Sequence, residues 1–228
     1  MVESSPVELP VGDAQREAAE LLAGARELGV NLEPAQLAAL SRLLDALLAA
    51  NAQFNLTAIR DRPGMLRKHL LDSLSVLPFL RGPRVADVGT GAGFPGLPLA
   101  IAAPAHSFVL IEATGKKARY VASTARSLGL ANVEVVNERA ERYRPQAPFD
   151  TVVARAVASL EDLVAYAGHL CAAEGRLLAM KGKHPEREQL QLPKGFRVLA
   201  VHRLRVPGLD EERHLVEICR ARSRPSAA

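Results

Sequence analysis

Residues Arg84–Leu97, RVADVGTGAGFPGL, join a short apolar run to a cluster of glycines. The run ends in Asp87, and glycines follow at positions 89, 91, 93 and 96. Glycine lets a chain turn tightly and lets a ligand approach the backbone without a Cβ in the way. We therefore expect a strand, a ligand-binding loop and a helix in that order.

Downstream of this loop, short apolar runs alternate with helical stretches to the end of the chain. Seven runs read as strands: RVADV, SFVLIE, VEVVN, FDTVVA, GRLLAMKG, FRVLAVHRL and RHLVEICR. Alternation of strand and helix predicts an α/β fold with a mostly parallel seven-stranded sheet and helices on both faces. Only a loop separates the last two runs, so they are expected to pair antiparallel at one edge of the sheet.

Upstream of the loop, the chain reads as three amphipathic helices. The first runs from Asp13 to a C-capping Gly29, the second opens near Pro34, and the third covers residues 64–80. Leucines recur at helical spacing in all three. We expect an N-terminal helical extension over residues 1–80, packed on a second unit over residues 81–228 as one compact body.

Composition narrows the class of protein. The chain has 228 residues, 48% of them hydrophobic, and a formal charge of +4. That mild basic excess permits a nucleic-acid partner without proving one. Cys171 and Cys219 match no metal-binding or redox spacing and are expected to be reduced and half-buried. No membrane span or secretory signal is recognisable, so a cytoplasmic location is expected, with a disordered tail over residues 220–228.

Two carboxylates indicate which ligand the glycine loop binds. Glu112 ends the second strand about 20 residues after the loop, where a carboxylate can bind both hydroxyls of a ribose. Dinucleotides and S-adenosylmethionine both carry such a ribose. Asp87 sits badly against a pyrophosphate but well near a sulfonium or ammonium group. With Pro95 and Pro98 also reducing the free N–H groups, the residues favour S-adenosylmethionine over NAD.

The chain resembles the RsmG (GidB) family of guanine-N7 methyltransferases that act on small-subunit ribosomal RNA. The resemblance runs from about residue 51 to residue 218 and rests on several long pieces in the same order. They are NLTAIRD, HLLDSL, DVGTGAGFPG, EATGKKARY, NERAER, FDTVVARAVASL, AMKGK and ERHLVEI. The resemblance implies a class I, Rossmann-like methyltransferase domain that follows the N-terminal helices.

The resemblance also implies which residues bind S-adenosylmethionine. The loop, the ribose-binding acid, the adenine-side residues and a pocket arginine map onto Gly89, Gly91, Gly93, Phe94, Glu112, Ala113, Thr114, Ala140, Glu141 and Arg155. The charge argument adds Asp87 to the predicted donor-binding residues. Arg155 and Lys181 follow apolar strands at the carboxyl edge of the sheet and are the candidate catalytic residues. No metal is expected.

The implied substrate is ribosomal RNA, free or in the 30S particle, and the implied enzyme is a monomer. Guanine N7 is a lone-pair acceptor that needs no general base, and the chain shows no nucleophile constellation. The place after the fourth strand reads VARAVASL, without the Asn/Asp-Pro-Pro-aromatic motif of many amine methyltransferases. The candidate RNA contacts are Lys116, Lys117, Arg119, Arg155, Lys181, Lys183, Arg213, Arg67 and Lys68.

Other interpretations remain open at this level. A nicotinamide-dependent oxidoreductase would use the same glycine loop, a catalytically inactive RNA-binding assembly factor would share the basic residues, and a small-molecule methyltransferase would share the donor. His69 is open to contact with RNA or the donor, but a helix histidine bonded to a neighbour is favoured, with Asp72 as its partner or that of Arg67. His214 is expected to be structural in the last strand.

Overall fold

The structure is a computed structural model that describes residues 11–156, 158–185 and 191–221. All seven expected strands are present and form one sheet in the order β3-β2-β1-β4-β5-β7-β6. The strands are β1 (Arg84–Val88), β2 (Ser107–Ile111), β3 (Val133–Val136), β4 (Phe149–Arg155), β5 (Cys171–Lys181), β6 (Phe196–Leu204) and β7 (Arg213–Arg220). Strands β1 to β5 pair in parallel, and β7 pairs antiparallel with both β5 and β6. The disordered tail expected over residues 220–228 is wrong at Arg220, which ends β7, and residues 222–228 lie outside the described residues.

Helices cover both faces of the sheet, as expected. Helices α5 (Gly96–Ala102) and α6 (Gly115–Ser127) follow β1 and β2, and α7 (Leu160–Ala167) follows β4. Residues of α5 and α6 share one buried cluster with Val85 of β1. Residues of α7 share a second cluster with Ala86, the next residue along the same strand. Because successive side chains of a strand point to opposite faces, the two clusters lie on opposite sides of the sheet.

The N-terminal extension begins with two long helices, α1 (Val11–Glu27) and α2 (Pro34–Phe54). Gly29 follows α1 with φ 75°, a left-handed conformation that suits glycine at a helix end. Pro34 occupies the first turn of α2, and Glu33 and Gln36 form a reciprocal capping box there. The sequence predicted the Gly29 cap and the place of Pro34, and the capping box is added by the structure.

The third expected helix, over residues 64–80, is wrong as a single α-helix. The segment is α3 (Arg62–Met65), a π-helical turn (Leu66–Leu71), α4 (Asp72–Leu74) and a 3-10 turn (Leu77–Phe79). Leucine spacing reports that one face is buried, but it does not distinguish i→i+4 from i→i+5 hydrogen bonding. The wider turn lies where this segment supplies polar side chains to a cavity described below.

The extension packs on α5 through an apolar interface. Leu40, Leu44 and Leu74 are fully buried and belong to the same cluster as Leu97 of α5. The side-chain amide of Gln36 also donates to two carbonyl oxygens at the end of α5. The extension therefore contributes to the core on one face of the sheet. The boundary at residues 80 and 81 stays a prediction.

Candidate active site

Asp87, on β1, holds the glycine loop between β1 and α5 through hydrogen bonds. This carboxylate is fully buried, and its Oδ2 accepts from Thr90 Oγ1 at 2.6 Å and from the Gly96 backbone N–H at 2.8 Å. Burial raises the pKa of Asp87 to about 6. A Cβ on Gly96 would lie 2.6 Å from Oδ2, so only glycine fits there. In this structure Asp87 orders the loop, and its direct contact with a methyl donor stays a prediction.

Glu112 joins the loop to the end of β2. Its Oε2 accepts from the Gly91 backbone N–H at 2.9 Å and its Oε1 from the Thr114 N–H at 2.7 Å. The residue is 7% exposed. A carboxylate has about four lone-pair sites, so both oxygens retain capacity for hydroxyl donors. The local bonds fix the carboxylate at the position where the sequence predicted a ribose-binding acid.

Beside Glu112 lies a cavity of about 330 Å³, which we call the glycine-loop cleft. Its walls are Val88, Gly89, Ile111, Glu112, Ala113, Glu138, Arg139, Ala140, Glu141 and Tyr166. Gly89 has φ 69°, and a Cβ there would meet nothing within 4 Å. The cleft thus brings together five of the predicted donor-binding residues from three separate strand ends.

A second cavity of about 420 Å³, the Arg155 pocket, opens beyond the ends of β4 and β5. It is lined by Ile59, Lys68, His69, Asp72, Arg155, Ala156, Met180, Lys181, Gly182, Leu204, Arg213 and His214. Both predicted catalytic residues are in this list. The Lys181 Nζ donates to the Ala158 carbonyl oxygen at 3.3 Å, which ties it to the segment after β4.

Arg155 and His69 form the floor of the Arg155 pocket, and the buried ring of Phe94 in the glycine loop packs against both. Arg155 Nη1 donates to His69 Nδ1 at 3.2 Å, and Thr57 Oγ1 lies 2.9 Å from His69 Nε2. Because arginine only donates, Nδ1 is the acceptor and Nε2 carries the proton. The His69 ring stacks on Phe94 at 4.8 Å between centroids, and the Arg155 guanidinium lies 5.5 Å from the Phe94 centroid. Burial and the Arg155 charge lower the pKa of His69 to about 3, so the ring is neutral at physiological pH.

Asp72 ties two arginines to this floor. Its Oδ1 accepts from Arg213 Nε at 3.0 Å, and its Oδ2 lies 3.7 Å from Arg155 Nη1. The expectation that Asp72 partners His69 or Arg67 is wrong. The π-helical turn rotates Asp72 toward the sheet, while Arg67 pairs with Glu20 of α1 at 2.7 Å.

Arg155 itself is followed by a strained residue. Ala156 has φ 57°, a left-handed conformation that is uncommon for a residue with a Cβ. Such outliers concentrate at functional sites, where surrounding contacts hold them. The strained residue lies where the chain leaves β4, next to Arg155, whose side chain lines the pocket.

Several predicted residues lie outside both cavities. Lys116, Lys117 and Arg119 are on α6, and Lys116 Nζ lies 4.2 Å from the ring centroid of Phe54. Lys183 is exposed just beyond β5. A Cβ on Gly93 would meet the Leu97 side chain at 2.4 Å, so this glycine serves packing.

Sequence reasoning missed Tyr166, Glu138 and Arg139 in the glycine-loop cleft. It preferred a structural role for His69 over a site role and gave no site role to Asp72 or His214. Tyr166 comes from α7, more than 50 residues after Glu112, and no local motif marks it. His214 is 5% exposed, and its Nδ1 lies 3.1 Å from the Gly182 carbonyl oxygen. Its expected structural role fits that contact, although it also lines the Arg155 pocket. The signal available for His69 and Asp72 was their i, i+3 spacing in one helical segment.

A cavity of about 540 Å³ lies at the opposite ends of β1 to β3, and none of the predicted site residues lines it. Cys171 and Cys219 are unpaired and fully buried rather than half-buried. None of the helices in the described ranges combines the length and apolar character that crossing a membrane requires.

Comparison with known sequences gives a family. The family described as rRNA small subunit methyltransferase G (GidB) matches residues 36–216. A protein of Ectopseudomonas mendocina named ribosomal RNA small subunit methyltransferase G is 48% identical over 209 residues, covering 91% of this chain and 98% of the relative. A protein of Aromatoleum aromaticum with the same name is 50% identical over 204 residues, covering 87% and 97%.

Comparison with solved structures confirms the fold predicted from the sequence. The O-methyltransferase TomG of Streptomyces achromogenes, in complex with SAM, matches 85% of this chain and 92% of its own with a TM-score of 0.54 at 18% identity. The glycopeptide N-methyltransferase MtfA, also complexed with SAM, matches 68% and 88% with a TM-score of 0.55 at 12% identity. The chain therefore has the class I, Rossmann-like methyltransferase fold.

Proposed function

The chain belongs to the rRNA small subunit methyltransferase G (GidB) family, and from that premise we propose that it methylates N7 of a guanine in small-subunit ribosomal RNA with S-adenosylmethionine. The observation that carries the proposal is the pair of cavities beyond the carboxyl ends of the parallel strands. One holds the acid for a ribose, and the other presents Arg155 and Arg213 beside His69.

The residues of the glycine-loop cleft fit the donor. Gly89 leaves open space where a Cβ would stand, and Glu112 offers two fixed carboxylate oxygens to ribose hydroxyls. Ala140 and Glu141 line the side where the adenine would lie. When bound, S-adenosylmethionine supplies a methyl group on a cationic sulfur.

The Arg155 pocket fits a guanine with N7 free. Arg155 has N–H groups for an acceptor such as guanine O6, which lies beside N7 on the same edge of the base. N7 carries no proton, so the neutral His69 is not required as a base, and it positions Arg155 by accepting its hydrogen bond. The chain contributes orientation and exclusion of water rather than proton transfer. Lys181, at the same pocket, would bind RNA or the base.

The alternatives weighed at the sequence level have less support. Family membership gives no support to a nicotinamide-dependent oxidoreductase or to a small-molecule methyltransferase. An RNA-binding assembly factor without catalysis would bind the same RNA but transfer no methyl group. We also propose that the enzyme is a cytoplasmic monomer.

The deciding experiment is methyl transfer from labelled S-adenosylmethionine into small ribosomal subunits from cells that lack this activity. Strand scission selective for N7-methylguanine would then locate the label. We expect one cleavable guanine with the wild type and none with Arg155→Met, which keeps the bulk of the side chain without its donors. Label at other positions would disprove the N7 assignment, and no transfer by a protein that binds both donor and RNA would favour the assembly factor.

A further inference from the structure

The outer rim of the Arg155 pocket carries an internal carboxylate between two cations. Glu211, in the connection between β6 and β7, places Oε1 at 2.5 Å from Lys68 Nζ and Oε2 at 2.8 Å from Arg213 Nη2. Lys68 belongs to the π-helical turn of the extension and Arg213 begins β7, so one side chain bridges two distant segments. Both cations line the pocket that the proposed function assigns to the target guanine.

The two cations do not depend on Glu211 equally. Arg213 is also bound through Nε to Asp72, which is 4% exposed. The buried bond holds the guanidinium, and Glu211 contacts only its outward Nη2. A different anion could therefore take the place of Glu211 without displacing Arg213.

Replacing Glu211 by another anion costs little free energy, because the Lys68–Glu211 ion pair is exposed to solvent. The side chains of Glu211 and Lys68 are 50% and 37% exposed. Ion pairs with this much solvent contact contribute little to stability. A phosphate group offers two anionic oxygens in a similar arrangement, and it brings the free energy of counterion release from RNA.

We propose that Lys68 and Arg213 form a binding site for a backbone phosphate of the RNA beside the target guanine, and that Glu211 fills this site until RNA replaces it. The proposal rests on the proposed function, because it places an RNA phosphate at the mouth of the pocket that takes the base. Glu211 then competes with any anion for Lys68 and Arg213. Polyanions that cannot place a guanine in the Arg155 pocket therefore bind weakly.

The test compares Glu211→Gln with Glu212→Gln in binding to small-subunit ribosomal RNA across a range of salt concentrations. Glu212 is the matched control because it is exposed and adjacent, loses the same charge, and contacts Arg213 only through its backbone carbonyl. We expect Glu211→Gln to tighten binding about fivefold more than Glu212→Gln. The salt dependence should steepen by about one counterion relative to the control.

A double-variant cycle separates local competition from general charge. In a Lys68→Met background, the advantage of Glu211→Gln over Glu212→Gln should shrink toward none. Equal effects of the two glutamine variants would overturn the proposal, and so would weaker binding by Glu211→Gln at unchanged thermal stability. If the wild type neither binds nor methylates small-subunit RNA, the proposed function itself fails. That outcome is distinct from a wild type that binds the RNA while the two glutamine variants change its affinity equally.

Discussion

Glu112 shows how one side chain can order a loop and still serve a ligand. Its two oxygens accept from Gly91 and Thr114, which fixes the carboxylate before any donor arrives. Bonds from ribose hydroxyls to a carboxylate are charge-assisted and worth about 1–3 kcal/mol. Glu112→Ala should therefore weaken S-adenosylmethionine binding at least about fivefold in a calorimetric titration. Glu134→Ala, on the exposed side of β3, is the control, and unchanged affinity in Glu112→Ala would remove Glu112 from the donor site.

His69 alone should make a distinct contribution to the pH dependence of folding stability. Its folded pKa of about 3 lies below the unfolded value of about 6.5, so between these values the unfolded chain binds more protons. The stabilising contribution of neutral His69 is fully present above about pH 6.5 and is lost as pH falls toward 3.

His69→Gln isolates this contribution, because glutamine can accept from Arg155 and donate to Thr57 but does not titrate. We expect the stability difference between wild type and His69→Gln to change by up to about 1.4 kcal/mol per pH unit in that window. Burial raises the pKa of Asp72 and Asp87, which opposes this trend in both proteins and cancels in the difference. Urea unfolding at several pH values measures it, and a constant difference would show that His69 does not stay neutral in the fold.

At the scale of the element, the glycine loop is tested at Gly89. Alanine there would adopt φ 69°, which costs an L-residue about 1–2 kcal/mol. Its methyl group would also enter the space of the glycine-loop cleft. Gly89→Ala should lose both stability and donor binding.

The control for Gly89 is Gly129→Ala, after α6. Gly129 has φ 72° and open surroundings like Gly89 but lies far from the cleft in the chain's fold. The Gly129→Ala variant should lose about as much stability in thermal unfolding as Gly89→Ala, and it should retain full donor affinity. Equal donor affinity in the two variants would show that the donor does not approach Gly89.

The first three helices are joined by Arg62. Its guanidinium contacts Glu17 of α1 and Asp45 of α2, and the Arg62 and Glu17 side chains are each only 11% exposed. Removing one partner leaves a buried charge uncompensated, which costs about 3–5 kcal/mol in buried pairs. We expect Arg62→Met to lower the free energy of unfolding by about 3 kcal/mol.

Arg16→Met supplies the comparison for Arg62. Arg16 pairs with Asp13 at 3.7 Å with 86% of its side chain exposed, and its loss should change stability by about 0.5 kcal/mol or less. Denaturant unfolding of both variants measures the contrast. A loss of the same small size in both would mean that the Arg62 cluster does not hold the extension together.

The elements that the sequence could predict are those with local causes. Strand runs, the Gly29 cap, the Pro34 helix start and the glycine loop each depend on residues within a few positions. The floor of the Arg155 pocket depends on Asp72 meeting Arg213, 141 positions later, and on a π-helical turn that leucine spacing does not reveal. Arg155 and Lys181 could be singled out because each follows an apolar strand, but only the fold separates Arg213 at the pocket from Arg119 on α6.

At the scale of the whole molecule, the extension and the sheet share one apolar core, and this has a thermodynamic consequence. Leu44 of α2 and Leu178 of β5 are fully buried in the same cluster. Elements that share a core unfold together when neither buries enough apolar surface alone. We therefore expect one cooperative unfolding transition for the chain.

Two variants test this expectation from opposite ends of the core. Leu44→Ala and Leu178→Ala should each cost about 2–5 kcal/mol, and each should move the whole calorimetric transition to lower temperature without splitting it. Limited proteolysis should then cut within the extension and the sheet at the same temperature. A Leu44→Ala protein that lost the extension first, while the sheet melted at the wild-type temperature and still bound S-adenosylmethionine, would show two domains. In that case the extension would be a separable cover on the Arg155 pocket, because the sheet would keep its donor cleft without it.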